Sequence, residues 1–224
     1  MSEYWRHALY PLGFLAHFAF TARFIVQWLQ SEREGKSVVT RPFWQLSLAG
    51  NLFLYLHSLI QMQFHVCLVQ GFNGVLSYRN LELMRRDGPR FNFRLVPWLL
   101  GISALVTVCA FFFQDWLCSS CFNWFRSPTF FQVPVKPVDA SWHVAGFLGL
   151  VLFNSRFWVQ WWLSERIGES TLGVAFWWLS LVGALLSAIY FYHIRDWVNL
   201  GGFVIGLVPY VRNLILLSKR EQTA

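Results

Sequence analysis

An internal repeat constrains this chain more than any other feature of its sequence. The stretch Arg23–Arg33, RFIVQWLQSER, has a near copy at Arg156–Arg166, RFWVQWWLSER. One constant offset aligns residues 23–81 with residues 156–214 without a gap, and about 21 of roughly 59 aligned positions are identical. The chain is therefore built from two related units and the residues that join them.

Composition places these units in a membrane. Hydrophobic residues make up 56% of the chain and charged residues only 13%, whereas soluble domains average about 25% charged residues. Several apolar runs are about 20 residues long, the length that crosses a bilayer as a helix. The net charge of +7 comes largely from short loops between these runs. It therefore indicates topology and contact with anionic lipid, and no nucleic-acid partner is expected.

The apolar pattern predicts an all-α integral membrane protein with seven transmembrane helices. The predicted segments are about Leu9–Glu32, Pro42–Met62, Phe64–Met84, Leu95–Leu117, Trp142–Glu165, Val174–Ile194 and Trp197–Leu217. The fourth segment has no counterpart in either repeat. We expect a three-helix repeat over residues 9–84, a linker helix and outward-facing loop over 85–140, and a second three-helix repeat over 141–219. A single linker helix would make the two repeats parallel, related by an axis along the membrane normal.

Loop charges predict the orientation. Ten basic residues lie on the side of the first, third and fifth loops and the C-terminus: Arg33, Lys36, Arg41, Arg85, Arg86, Arg90, Arg94, Arg166, Lys219 and Arg220. Four lie on the other side: Arg6, Arg126, Lys136 and Arg195. Because Lys and Arg mark the cytoplasmic side, we expect the N-terminus outside and the C-terminus in the cytoplasm.

The segment between the linker helix and the second repeat leaves two questions open. Residues 119–140 are rich in Phe, Pro and Trp, which suits either a segment at the bilayer interface or a plain connector. Cys118 and Cys121 form a C-x-x-C spacing that suits either a local disulfide or two free thiols.

Polar residues recur at equivalent depths in the two repeats. Arg23, Gln27 and Ser31 are spaced four apart and so lie on one helix face, and the second repeat has the same set. An arginine in the hydrocarbon costs about 2.5–3.5 kcal/mol on insertion scales, so two at matching depth indicate partners or a polar cavity. The candidate substrate-binding residues are Arg23, Gln27, Trp28, Ser31, Glu32, Trp44, Arg79, Asn80, Arg156, Gln160, Trp161, Ser164, Glu165, Trp177, Tyr210, Arg212 and Asn213.

Each type of side chain in this set has two interpretations. The arginines suit a phosphate or carboxylate, but Glu32 and Glu165 are natural ion-pair partners for Arg79 and Arg212 that would only fix helix register. The amides suit sugar hydroxyls or helix–helix hydrogen bonds. The tryptophans suit sugar stacking or plain packing. The sequence contains no catalytic set, zinc motif or nucleotide-binding loop, so we expect no catalytic residue, metal or cofactor.

The repeated residues resemble a known family. The pattern R-F-x-x-Q-W-x-x-S-E, followed by a serine, F-W-x-L-S-x-x-G and a final R-N-L, resembles the lipid A biosynthesis N-terminal domain, here in two copies. The opening LYPLG at residues 9–13 and the two-copy layout are similar to the membrane region fused ahead of lipid A disaccharide synthase in chlamydiae. The three-helix units are more distantly similar to PQ-loop and SWEET transporters, which also pair two such units through a linker helix.

The resemblance implies a membrane role in lipid A and lipopolysaccharide biosynthesis at the bacterial inner membrane. It favours a protein that binds or translocates a phosphorylated glycolipid, a lipid-linked sugar or a lipid A precursor. The alternative is a membrane anchor or accessory subunit for a soluble glycosyltransferase. The family name implies a disaccharide synthase, but no glycosyltransferase domain follows the repeats, so we expect the chain by itself not to be an enzyme.

The predicted topology can be tested by cysteine-accessibility mapping. Cysteines introduced beside Gly35 and Gly168 should both react only from the cytoplasmic side, because equivalent loops of parallel repeats face the same leaflet. Labelling of both positions from outside the cell would contradict this topology.

Overall fold

The computed structural model describes residues 6, 8–35, 38–89, 91–117, 124, 140–193 and 197–221. The elements within these residues are seven α-helices: α1 (Leu12–Glu34), α2 (Arg41–Ile60), α3 (Phe64–Leu83), α4 (Leu95–Leu117), α5 (Ala140–Ile167), α6 (Val174–His193) and α7 (Trp197–Glu221). The predicted all-helical class is confirmed, and the fourth segment has the predicted bounds. Cys118, Cys121 and nearly all of the aromatic segment after them lie outside the described residues.

Four helices in the described part of the chain are long and apolar enough to cross a membrane. By length and composition they are Leu12–Glu34, Leu95–Leu117, Val174–His193 and Leu200–Ser218. α4 fits this role best, because many of its large side chains face outward, with Trp98 and Trp116 73% and 76% exposed. An exposed apolar helix surface of this kind is stable in lipid and not in water.

The ends of α1 and α5 are built alike. Each helix is followed by a glycine in the left-handed region, Gly35 with φ 63° and Gly168 with φ 78°. This conformation ends a helix at little cost when the residue has no Cβ. The repeated glycine of the sequence therefore stops each motif-bearing helix at the same place.

α2 ends in the same way without a glycine. Met62 has φ 58°, the Gln63 amide donates to the Ser58 carbonyl at 2.8 Å, and the Met62 amide donates to the Leu59 carbonyl at 3.4 Å. These two bonds form a Schellman motif, which satisfies carbonyls that the helix end would leave without partners.

The described helices belong to two compact units. One unit contains residues 1–20 and 44–133, and in it α3 packs against α4. The other contains residues 21–43 and 134–224, and in it α6 packs against both α5 and α7. We refer to them as the first and second packing units. The motif at the end of α1 therefore packs with the helices of the second repeat, and the domain boundaries drawn from the repeat stay a prediction.

Glycines allow close helix contacts in each packing unit. In the first, a Cβ at Gly50 would lie 2.5 Å from the Phe20 ring. In the second, a Cβ at the equivalent Gly183 would lie 2.5 Å from the backbone nitrogen of Phe153. The repeated glycine of the F-W-x-L-S-x-x-G pattern is thus required for close packing in both units.

These two glycines should differ in their tolerance of alanine. Gly183→Ala should destabilise the protein by about 1–3 kcal/mol, because backbone atoms oppose the new methyl group and cannot move away. Gly50→Ala should cost less, since the Phe20 ring can rotate. Thermal unfolding in detergent measures both, with Gly101→Ala as the control because no atom lies within 4 Å of that Cβ position. Equal destabilisation at positions 50 and 183 would contradict this interpretation.

Candidate functional site

Gln27 and Ser31 hold the loop that follows α1. The Gln27 amide donates to Ser31 Oγ at 2.9 Å and to the Val38 carbonyl at 3.3 Å, and the Val38 amide donates to Ser31 Oγ at 3.1 Å. Both side chains are fully buried. They therefore satisfy both backbone groups of the partly buried Val38.

The second repeat reproduces this arrangement. The Gln160 amide donates to Ser164 Oγ at 2.9 Å and to the Thr171 carbonyl at 3.2 Å, and the Thr171 amide donates to Ser164 Oγ at 3.1 Å. Val38 and Thr171 differ as residue types but occupy equivalent positions. The Q-x-x-x-S spacing of the motif is therefore explained by a local structural role.

Gln27 also bonds to α7 within the second packing unit. It donates to Asn213 Oδ1 at 2.8 Å, and Asn213 donates back to Gln27 Oε1 at 3.2 Å. Asn213 donates in addition to the Pro209 carbonyl at 2.8 Å. Two fully buried amides are satisfied in this way, so this pair acts as the helix–helix hydrogen bond considered for it.

Arg156 lies in a cage of aromatic rings. Its side chain is 1% exposed, and its guanidinium carbon lies 3.5 Å from the centroid of the Phe153 ring and 4.7 Å from that of Phe157. Its Nη1 donates to the Tyr210 hydroxyl at 3.0 Å. We call these four residues, together with Arg23, the arginine cage.

Arg23 enters the same cage from α1. Its side chain is 4% exposed, and its guanidinium carbon lies 5.5 Å from the centroid of the Phe157 ring, the ring that Arg156 also contacts. It lies 4.7 Å from the Phe24 ring and 5.5 Å from the Phe43 ring. Two buried cations therefore flank one phenyl ring.

No carboxylate compensates Arg156 within the described residues. Its one hydrogen-bond acceptor there is the Tyr210 hydroxyl, and its Nε has no partner. Cation–π contacts contribute roughly 0.5–2 kcal/mol each, which offsets only part of the cost of burying a cation. The Tyr210 hydroxyl accepts from Arg156, so its own proton remains available to an acceptor. The cage can thus bind an anion by charge and by hydrogen bonds.

Other predicted residues of the second packing unit are more exposed. Arg212 forms a two-pronged ion pair with Glu32, in which Nε bonds to Oε1 and Nη2 lies 2.6 Å from Oε2. Trp28 Nε1 donates to Glu32 at 3.1 Å and Trp161 Nε1 to Glu165 at 2.8 Å. The ion pair considered for Glu32 is present, and the two tryptophans hold the carboxylates in place.

Three predicted residues lie in the first packing unit. Trp44 is fully buried there. Arg79 is 3% exposed and donates to the Phe91 carbonyl at 2.7 Å, and Asn80 donates to the Leu76 carbonyl at 2.9 Å. Trp177, which matches Trp44 in the second repeat, is also fully buried. Neither indole therefore presents a free face for stacking on a sugar.

The rings of the cage were not expected from the sequence. Phe153 and Phe157 were not among the candidate residues, although Phe157 matches Phe24 in the repeated R-F pair. One feature of the sequence could have predicted them, namely the aromatic residue next to each membrane arginine in both repeats. A buried guanidinium favours contact with an aromatic face. Phe153 gave a second signal, because Phe20 precedes Arg23 by the same three residues that separate Phe153 from Arg156.

Comparison with known families gives the arrangement its context. The sequence model of the lipid A biosynthesis N-terminal domain matches residues 12–82 and again residues 145–215. The chain belongs to the lipid A biosynthesis N-terminal domain family. The two matched ranges are separated by the offset that defines the internal repeat, so the repeat and the family pattern are one feature.

Relatives that match nearly the whole of this chain include chlamydial proteins. The chain is 35% identical over 216 residues to the lipid-A-disaccharide synthase of Chlamydia felis, which covers 96% of this chain and 34% of that protein. It is 36% identical to the Chlamydia caviae protein and 33% identical to the Chlamydia pneumoniae protein of the same name, over 96% and 97% of this chain. The chain thus spans about a third of the length of these relatives. No solved structure matches it.

The two serines that hold the loops should respond alike to mutation. Ser31→Ala and Ser164→Ala should each destabilise the protein by about 1–2 kcal/mol, because each leaves a partly buried backbone amide without its acceptor. Hydrogen exchange at Val38 and at Thr171, respectively, should accelerate. Ser218→Ala is the control, as that exposed hydroxyl bonds only within its own helix. Unchanged protection at Val38 in Ser31→Ala would contradict the arrangement.

Proposed function

We propose that this protein binds or translocates a phosphorylated glycolipid, a lipid-linked sugar or a lipid A precursor in the bacterial inner membrane. The observation that carries the proposal is the arginine cage, in which the fully buried Arg156 meets rings and a hydroxyl and no described carboxylate. A buried cation of this kind is strongly stabilised by an anion. Membership of a lipid A biosynthesis family makes a lipid phosphate the natural anion.

The chemistry of the cage suits a phosphate on an amphiphile. A guanidinium presents planar donors that match phosphate oxygens, and the Tyr210 hydroxyl adds a neutral donor. The surrounding rings lower the local dielectric, which strengthens ionic contacts. The same rings offer dispersion contacts to acyl or isoprenoid groups next to the phosphate.

The proposed membrane arrangement follows from the repeat and the loop charges. All seven helices span the bilayer in this proposal, as two parallel three-helix repeats joined by α4, with the N-terminus outside and the C-terminus in the cytoplasm. Three of these helices are more polar than the four apolar ones. Their polar groups are largely buried, as in α3 with Asn73, Ser77 and Asn80, so a bundle can carry them across lipid.

A second candidate function is that of a membrane partner for a synthase. The chlamydial relatives are about three times as long as this chain and are named for disaccharide synthesis. A region homologous to this chain in such proteins would hold a glycosyltransferase at the membrane, and this chain would do the same for a separate enzyme. This role requires apolar helices and makes no use of buried cations.

Substitution of the cage arginines separates the two candidates. Arg156→Gln or Arg23→Gln should weaken binding of a phosphorylated glycolipid by roughly 10- to 100-fold, because charge-assisted hydrogen bonds are lost. Lysine at either position should restore binding only partly, since it supplies a point charge and no planar fork. Native mass spectrometry of the purified chain in lipid nanodiscs measures the affinity.

The matched control is Arg166→Gln. Arg166 lies on the same helix as Arg156 and also contacts a ring, with its guanidinium carbon 4.8 Å from the centroid of Trp162, but it is exposed. This variant should bind the lipid as the unmodified protein does. Full binding and full support of lipid A synthesis by both cage variants, folded normally, would favour the anchoring role.

A further inference from the structure

The two repeats fill equivalent positions with opposite chemistry. In the second packing unit Phe191 of α6 and Phe203 of α7 stack, with ring centroids 5.5 Å apart and ring planes 14° from parallel. The repeat offset equates these positions with Ser58 of α2 and Gln70 of α3. A stacked aromatic pair in one repeat is therefore replaced by a hydroxyl and an amide in the other.

Ser58 and Gln70 lie at one level of the first packing unit. α2 and α3 run in opposite directions, and Asn51 of α2 donates to Ser77 Oγ of α3 at 3.1 Å. Ser58 is seven residues after Asn51, and Gln70 is seven before Ser77. Seven residues are close to two helical turns, so all four lie on the facing sides of the two helices. We call Asn51, Ser58, Gln70, Asn73 and Ser77 the neutral face.

The neutral face holds polar atoms without partners. Ser58 is 0% exposed and its Oγ makes no hydrogen bond, and the buried Oε1 of Gln70 makes none. Buried polar atoms are normally satisfied, and an exception requires an explanation. Polar residues in a membrane bundle ordinarily form hydrogen bonds between helices, as Asn51 and Ser77 do. The side-chain atoms named above form no such bond.

The composition of the neutral face selects its ligand. Its five members are serines, asparagines and a glutamine, so it carries donors and acceptors and no charge. Groups of this kind satisfy sugar hydroxyls, which donate and accept at once. They do not balance a phosphate, which requires a cation when buried. The second repeat has Ala184, Gly206 and Tyr210 at the positions of Asn51, Asn73 and Ser77, so this chemistry belongs to the first repeat.

We propose that the neutral face binds uncharged sugar hydroxyls of a glycolipid headgroup, with Ser58 and Gln70 as the contact residues. The inference rests on the proposed function in that the ligand is a sugar-bearing lipid, but it concerns groups other than the phosphate. At the corresponding position of the second repeat, Phe191 and Phe203 pack against each other and need no further partner. Ser58 and Gln70 instead have polar atoms to which a ligand can form hydrogen bonds.

Three lipids with the same acyl chains test this site on the full chain in nanodiscs. Monoglucosyl diacylglycerol carries a sugar and no phosphate, phosphatidic acid carries a phosphate and no sugar, and diacylglycerol carries neither. The unmodified protein should prefer monoglucosyl diacylglycerol to diacylglycerol by about tenfold, the equivalent of one to two neutral hydrogen bonds. Competition read by native mass spectrometry measures this sugar preference.

The double variant Ser58→Val/Gln70→Met should lose the sugar preference and keep that for phosphatidic acid. Ser58→Ala removes only a hydroxyl, should fold in any case, and should lower the sugar preference at least threefold. Arg156→Gln should do the reverse and lose only the phosphate preference. The control is Ser180→Ala, because that buried serine already bonds to the Phe176 carbonyl at 2.6 Å.

The outcomes distinguish this inference from the proposed function. No sugar preference in the unmodified protein, or an undiminished preference in folded Ser58→Ala, overturns the neutral face as a sugar site. In that case the orphan atoms belong to packing or to a buried water. Absence of a phosphate preference would instead contradict the role of the arginine cage, whatever the sugar result.

Discussion

The interior of the second packing unit is organised around two guanidinium groups that are buried in an apolar bundle. Arg23 and Arg156 share the Phe157 ring, and further rings surround each of them. A charge in this setting is tolerated only where quadrupoles, hydroxyls or anions replace water. This requirement explains why Phe43, Phe176 and Tyr210 are almost fully buried around these two arginines.

Duplication preserved the parts of the structure that concern the backbone. The arrangement of glutamine, serine and loop residue is the same in both copies to within 0.1 Å, and both helices end on a left-handed glycine. These features provide hydrogen-bond partners for backbone groups or end a helix, and the backbone requires the same geometry in both copies. Some side chains that pack against other side chains have diverged, as Ser58 and Phe191 illustrate, whereas the buried pair Trp44 and Trp177 is unchanged.

The divergence gives each packing unit a separate polar character. The second unit has cations, rings and a phenolic hydroxyl in its interior, and the first has neutral amides and hydroxyls between α2 and α3. In the functions proposed above, the second unit would suit a phosphate and the first would suit sugar hydroxyls, whereas two equal repeats would duplicate one type of contact.

The sequence by itself determined the helical class, the repeat, the family and the bounds of the helices to within a few residues. Apolar runs and turn glycines are local signals, so α4 was predicted from Leu95 to Leu117 as it is found. It also singled out Arg23 and Arg156, since charge at membrane depth is visible without a fold. Only the tertiary structure decided that residues 21–43 pack with the second repeat, that Gln27 pairs with Asn213, and that Trp44 and Trp177 are buried. These features depend on which helix faces meet. The contacts join residues up to 186 positions apart in the chain, and the periodicity of a sequence does not predict contacts between such distant residues.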